Sequence, residues 1–110
     1  MNYYIYILRC ENNKLYTGIT TDYKRRFLEH LSSKKGAKFT KANKPKKIEL
    51  LYKTDNRKNA SKLEYHIKQL KKIDKEKLCI DNKKFKSFFF DKIDIKLYKR
   101  VNRIYLIEKE

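Results

Sequence analysis

The sequence predicts an α+β fold: a small three-stranded antiparallel sheet flanked by helices, with an extra C-terminal β-hairpin as a further expectation. Three observations carry this. Two aromatic and β-branched runs near the N-terminus are separated by a turn. Two later segments repeat apolar residues at helical spacing. A third strand-like run, Ile48 to Thr54, lies between them. The 110 residues suit one domain, and a hydrophobic content of 40%, with nine Tyr and six Phe, supports a packed core.

Each element follows in order. Tyr3 to Arg9 (YYIYILR) has the composition of a buried strand. Glu11-Asn12-Asn13-Lys14 reads as a hairpin turn, because Asn tolerates the left-handed region. Leu15 to Ile19 returns as the second strand. Thr20, Thr21 and Asp22 are N-cap candidates for a helix whose stripe is Tyr23, Phe27 and Leu31, ending near Ser33. Gly36 and Pro45 mark Lys34 to Lys47 as a loop. Ile48 to Thr54 is the third strand. Asp55 or Asn56 can cap a second helix with the stripe Ala60, Leu63, Ile67 and Leu70, and Asp74 a short third helix through Ile80. The alternation of Ile93, Ile95 and Leu97, followed by Val101 to Ile107, predicts the terminal hairpin. Residues 1–80 are expected to form the functional domain, with residues 81–110 packed on it as an extension.

Thirty Lys and Arg against 13 Asp and Glu leave a net charge of +17. Such a chain repels itself, which points to a polyanion partner. Nucleic acid is favoured over a membrane surface, because no segment combines a basic face with a broad apolar one. The stretch Lys34–Lys47 holds Lys34, Lys35, Lys38, Lys41, Lys44, Lys46 and Lys47 with no acidic residue, a pattern suited to phosphate contact. No run approaches the ~18–20 apolar residues of a membrane span. Cys10 and Cys79 are too few for a disulfide framework, and with His30 and His66 they lack zinc-ligand spacing, so a reducing cytosol is the expected setting, at the nucleoid if the source is bacterial.

Five positions stand out for chemistry. Tyr6 and Tyr16 flank the first turn, and Gly18 follows Tyr16 by two. Arg26 and His30, four apart, share a face of the first helix at the edge of its apolar stripe. Glu64 sits at the same kind of edge on the second helix. The order Tyr4-Ile5-Tyr6, nine residues, then Tyr16-Thr17-Gly18, then Arg26, His30 and Glu64, resembles the GIY-YIG nuclease domain. The segments YIYILRC, KLYTGITTDYKRRFLEH and GAKFTKANKP look most like its small, stand-alone bacterial-type members.

The resemblance implies cleavage of DNA phosphodiesters with one Mg²⁺ or Mn²⁺ ion held by Glu64. It makes Tyr6 the general base or the group orienting the attacking water, and Tyr16 a hydrogen-bond partner of the phosphate or water. It makes Arg26 the stabiliser of phosphoryl charge and His30 a proton-transfer partner. Lys68 joins the loop lysines as an expected nucleic-acid contact. The chemistry suits these residues: nearby cations favour a Tyr6 phenolate, Arg matches phosphate geometry, and a lone carboxylate suits Mg²⁺, which keeps most of its waters. Three positions depart from the pattern, with Tyr4 in place of Gly, Thr17 of Ile, and Ile19 of a Lys after the second motif. A nucleic-acid-binding module with an idle nuclease site is therefore the alternative. RNA is the other possible partner, its unpaired bases stacking on the tyrosines.

Overall fold

The computed structural model describes residues 1–32 and 34–104. Strands β1 (Tyr3–Cys10), β2 (Leu15–Thr20), β3 (Pro45–Thr54) and β4 (Lys99–Arg100) form one antiparallel sheet in the order β2-β1-β3-β4. Helix α1 (Tyr23–Leu31) and the short α2 (Lys38–Ala42) connect β2 to β3. Helices α3 (Arg57–Gln69), α4 (Lys72–Ile80) and α5 (Lys83–Phe89) follow β3. Among the described residues no helix is long and apolar enough to cross a membrane.

Strand β1 is buried on both faces, which explains its unbroken apolar run. Ile5 and Ile7 pack with Leu50 and Tyr52 of β3 and with Ala60, Leu63 and Ile67 of α3. Tyr6 and Leu8 pack on the other side with Ile48, Leu51 and Phe27 of α1. A bulge makes this possible: Ile7 faces Leu50 while Leu8 faces Ile48, so Glu49 is skipped. Ile48 and Leu50 thus reach opposite faces, and Glu49 meets Arg9 at 3.4 Å. Arg9 also forks onto the Glu76 carboxylate of α4, pulling that carboxyl down to about 2.

Local signals behave as their chemistry requires. Asn13 takes φ 69° in the β1–β2 turn. Asp22 caps α1 by accepting from the Arg25 N–H at 3.1 Å, and Asn56 caps α3 by accepting from the Asn59 N–H at 2.8 Å. The α1 stripe is rotated from expectation. Phe27 and His30 are its buried residues and Leu31 is 42% exposed, because α1 inclines its 27/30 edge onto Tyr6. The 34–47 stretch is not all loop, since α2 forms within it and β3 begins at Pro45. Helix α4 begins at Lys72, which puts Asp74 in its first turn and not at its cap.

The tail differs most. Phe85 and Phe89, four apart, are buried on α5 and join the core with Ile93. The alternating 93–97 segment contains a 3₁₀ turn (Ile95–Leu97), capped by Asp94, which accepts from the Lys96 N–H at 3.2 Å. The C-terminal strand that does form is β4, and it pairs with β3 instead of a second tail strand, Tyr52 facing Arg100. Residues 101–104 are in no strand, and the end of the expected Val101–Ile107 strand lies outside the described residues.

Candidate active site

Tyr6 and Gly18 face each other across β1 and β2. A Cβ at Gly18 would collide with the Tyr6 hydroxyl and lie 2.6 Å from its Cζ. Glycine is what lets the phenol ring lie across the β2 backbone. The ring is 3% exposed, and its Oη is 2.8 Å from His30 Nε2. His30, 2% exposed, has Nδ1 2.8 Å from Thr40 Oγ1 of α2. Thr40 Oγ1 lies 3.0 Å from the Ala37 carbonyl.

Counting donors assigns the tautomer. Thr40 spends its one hydroxyl proton on the Ala37 carbonyl, so it accepts from His30 Nδ1–H. Nε2 is then bare and accepts the Tyr6 O–H. The Ala37 N–H also faces Nδ1, but at 3.5 Å, too long to outweigh the two shorter bonds. Gly36, the second of the chain's two glycines, supports the same relay. Its absent side chain leaves room for Thr40 Oγ1 and the His30 backbone, which a Cβ would approach to 2.9 and 3.2 Å.

Tyr16 completes the cluster. Its ring centroid lies 6.3 Å from that of Tyr6 and 5.4 Å from His30, and Phe39 of α2 stacks on it at 5.5 Å and 21°. Arg26 donates to Glu29 Oε1 and to the Lys35 carbonyl, each at 2.9 Å, while its charge acts on Tyr6 and His30. The Glu64 carboxylate also acts on Tyr6, and it meets Lys68 Nζ at 3.4 Å.

Burial dominates the proton affinities. It raises the Tyr6 hydroxyl far above its usual value, with the neighbouring Tyr16 adding to the rise and Arg26 opposing it. The expected phenolate-favouring effect of Arg26 is therefore present but outweighed in the free protein. Burial, then Arg26, lowers His30 to about 4. The pair sits as neutral phenol and neutral imidazole.

The structure thus brings Tyr6, Tyr16 and His30 into contact and sets the charges of Arg26 and Glu64 around them. Lys34, Lys35, Lys38, Lys41, Lys44, Lys46 and Lys47 are all exposed, and Lys47 pairs with Glu49 at 2.9 Å. Sequence reasoning missed Phe39, Thr40, Arg25 and Arg57. Arg25 and Arg57 line a cleft with Ile19, so guanidinium groups stand around the position where the family pattern has a Lys. Arg57 comes from the start of α3, 38 residues beyond Ile19, and no spacing rule could have signalled it. Among the described residues no three His, Cys, Asp or Glu side chains gather to hold a metal. Glu64 is partly exposed, and its carboxylate raises the Tyr6 proton affinity by a smaller amount than burial does.

A UPF0213 protein of Fusobacterium nucleatum is 49% identical over 78 residues, covering 71% of this chain and 77% of the relative. One from Desulfotalea psychrophila is 41% identical over 97 residues, covering 86% of both. The solution NMR structure of UPF0213 protein BH0048 from Bacillus halodurans is 40% identical, with TM-score 0.46 over 71% of this chain and 82% of that one. The family model for the GIY-YIG catalytic domain matches residues 2–78, the span from β1 into α4 that builds the tyrosine–histidine cluster. With that extent of match, the chain belongs to the GIY-YIG family of nuclease domains.

Proposed function

We propose that this protein is a metal-dependent endonuclease that hydrolyses DNA phosphodiester bonds, directed by DNA structure or damage more than by a long sequence. The observation that carries the reading is the relay Tyr6–His30–Thr40, walled by Gly18 and Gly36 and flanked by Arg26 and Glu64. Tyr6 donates its proton to Nε2 and Arg26 bonds its oxygen, which leaves one lone pair to accept a hydrogen bond from a water. As that water attacks phosphorus, its proton passes to Tyr6 and the Tyr6 proton passes to His30. The phosphorus–oxygen bond to the leaving sugar oxygen breaks, and that oxygen takes a proton from solvent. Arg26 pairs with the phosphoryl oxygens. A phosphate on Arg26 offsets the cation that depresses His30, which makes the imidazole a better acceptor when substrate is present. Tyr16 positions the phosphate or the water.

Glu64 would hold one Mg²⁺ or Mn²⁺. Its carboxylate is partly exposed and belongs to no cluster of three ligand side chains among the described residues, which suits an ion that keeps most of its water. When bound, the ion supplies charge neutralisation at the phosphoryl oxygens. The loop lysines and Lys68 would supply phosphate contacts. Little surface is left over for base readout, the source of sequence specificity.

The test is cleavage of labelled single-stranded, duplex, nicked, flap and branched DNA with Mg²⁺ or Mn²⁺ and with EDTA. Metal-dependent cutting that falls at least ~10²-fold in Glu64→Ala, with binding retained, supports the nuclease. Burial of Tyr6, which covers its ring and holds its hydroxyl protonated, favours the second reading, a binding module with an idle site. Tight, salt-sensitive binding with no cutting by the wild-type protein would establish that reading instead.

A further inference from the structure

Two clefts open at opposite ends of β2, which is an edge strand paired only with β1. At its C-terminal end, Ile19 and Thr20, with Tyr3 of β1, Arg25, Arg26 and Glu29 of α1 and Arg57 of α3, line a space of about 330 Å³. Arg26 belongs both to this cleft and to the surroundings of Tyr6, so the cleft continues the active site. Glu29 is the one acid among these residues, and it is engaged with Arg25 at 3.7 Å and Arg26 at 2.9 Å. Arg57 forms no ion pair among the described residues.

At the N-terminal end, Lys14 and Leu15, with Phe39 of α2 and Lys72 and Lys75 of α4, line a space of about 190 Å³. Phe39 is the residue stacked on Tyr16, so this cleft also adjoins the cluster. Lys75 is partly buried, and that burial, together with Lys68, lowers its proton affinity. A nearby phosphate would offset both costs. Leu15 and Ile19 are four residues apart, ~13 Å at strand rise, the length of a few nucleotides.

The two clefts differ in what they can hold. Three guanidinium groups around one carboxylate, beside a single tyrosine, suit a phosphate, which takes forked donors. An aromatic ring with aliphatic surface and three surrounding ammonium groups suits a base and its attached phosphate. The second cleft is small and offers one ring, so it fits a single base that has left its stack and not a base pair.

We propose that an unpaired DNA strand runs along the outer edge of β2. A backbone phosphate beside the reacting one sits among Arg25, Arg26 and Arg57, and a base stacks beside Phe39 between the lysines. The position of the reacting phosphate rests on the nuclease reading above; the track itself is a binding surface and can be measured without cleavage.

The chain contains no Trp, so Phe39→Trp introduces a single fluorescent reporter into the second cleft. In EDTA, single-stranded DNA should quench this Trp, while a blunt duplex of equal phosphate count should leave it unchanged. By anisotropy, Phe39→Ala should weaken single-strand binding about tenfold and leave duplex binding unaltered. Arg57→Ala should reduce the slope of log affinity against log salt for single strands by about 0.7, one phosphate contact. A single methylphosphonate, walked along the strand, should cost wild-type affinity at one position where it costs Arg57→Ala nothing further. Lys92→Ala, an exposed charge away from both clefts, is the control. Equal losses for single strand and duplex, no quenching of Phe39→Trp, or an Arg57→Ala effect no larger than that of Lys92→Ala would each overturn the track. Failure of the nuclease reading looks different: wild-type protein binds in all these arms and cuts none of the DNAs with either metal.

Discussion

At the scale of the residue, the site is built by two absences and one buried imidazole. Gly18 has no side chain, so the Tyr6 ring can occupy its space. Gly18→Ala therefore pushes Tyr6 off His30. We expect a loss of ~1–3 kcal/mol in urea denaturation, together with loss of cleavage, whereas full activity in this variant would refute the assigned ring position. His30 sets a pH window. The unfolded chain ionises its histidines near ~6.5, but His30 in the folded protein ionises at about 4. Between those values the unfolded state binds more protons, so stability falls as pH drops through the window. Glu76, held down to about 2 by Arg9, extends the loss below the range in which a free carboxyl titrates. The unfolding free energy from urea denaturation between pH 7.5 and 4 should decline by an amount on the order of 1–3 kcal/mol, and His30→Gln should flatten the decline above pH 4.5. An unchanged slope in the variant would show that His30 is not held neutral.

At the scale of the element, the C-terminal segment belongs to the core beneath the sheet. Phe85 and Phe89 of α5 share a cluster with Ile5 and Ile7 of β1. Tyr98 donates to the Asn59 carbonyl at 2.7 Å, Thr54 to the Leu97 carbonyl at 2.8 Å, and Arg100 to the Leu78 and Cys79 carbonyls near the end of α4, at 3.1 and 3.0 Å. Arg100 also lies over the Tyr52 ring at 5.6 Å. The face of β1 opposite Tyr6 is thus closed by residues beyond the family match, which ends at 78. Phe89→Ala should cost ~3–5 kcal/mol by chemical denaturation, the range for a fully buried Phe. A cost below ~1 kcal/mol, typical of surface positions, would place α5 outside the core.

At the scale of the whole molecule, charge gives folding and binding opposite responses to salt. A net charge of +17 on a chain with a radius of gyration of 13.5 Å strains the folded state through self-repulsion. Added salt screens this, so the melting temperature should rise from 50 to 200 mM NaCl. DNA affinity should fall over the same range, by ~10³-fold for six phosphate contacts. Scanning fluorimetry with an added dye and anisotropy at both salt concentrations read the two effects. A melting temperature that falls with salt would mean that ion pairs such as Arg9–Glu76 outweigh the repulsion.

The local code of this protein was legible from its residues. Asn13 in the turn, Asp22 and Asn56 at the caps, and the stripe Ala60, Leu63 and Ile67 act through neighbours within four positions, so composition and spacing suffice to read them. The order of Tyr6, Tyr16, Arg26, His30 and Glu64 was legible too, as a family resemblance. Tertiary structure decided what those residues experience. Only packing shows that His30 is buried against Tyr6, because a helix can rotate its stripe by one position to fill a sheet face. Only packing brings Arg57 beside Ile19 and Thr40 onto the imidazole. The tail illustrates the same limit, since an alternation suited to a strand formed a 3₁₀ turn once α5 had claimed the core face and left two residues to pair with β3. Short-range preferences are worth tenths of a kcal/mol per residue, and burial of an aromatic ring or an imidazole is worth several times more, so wherever the two compete the long-range contact wins.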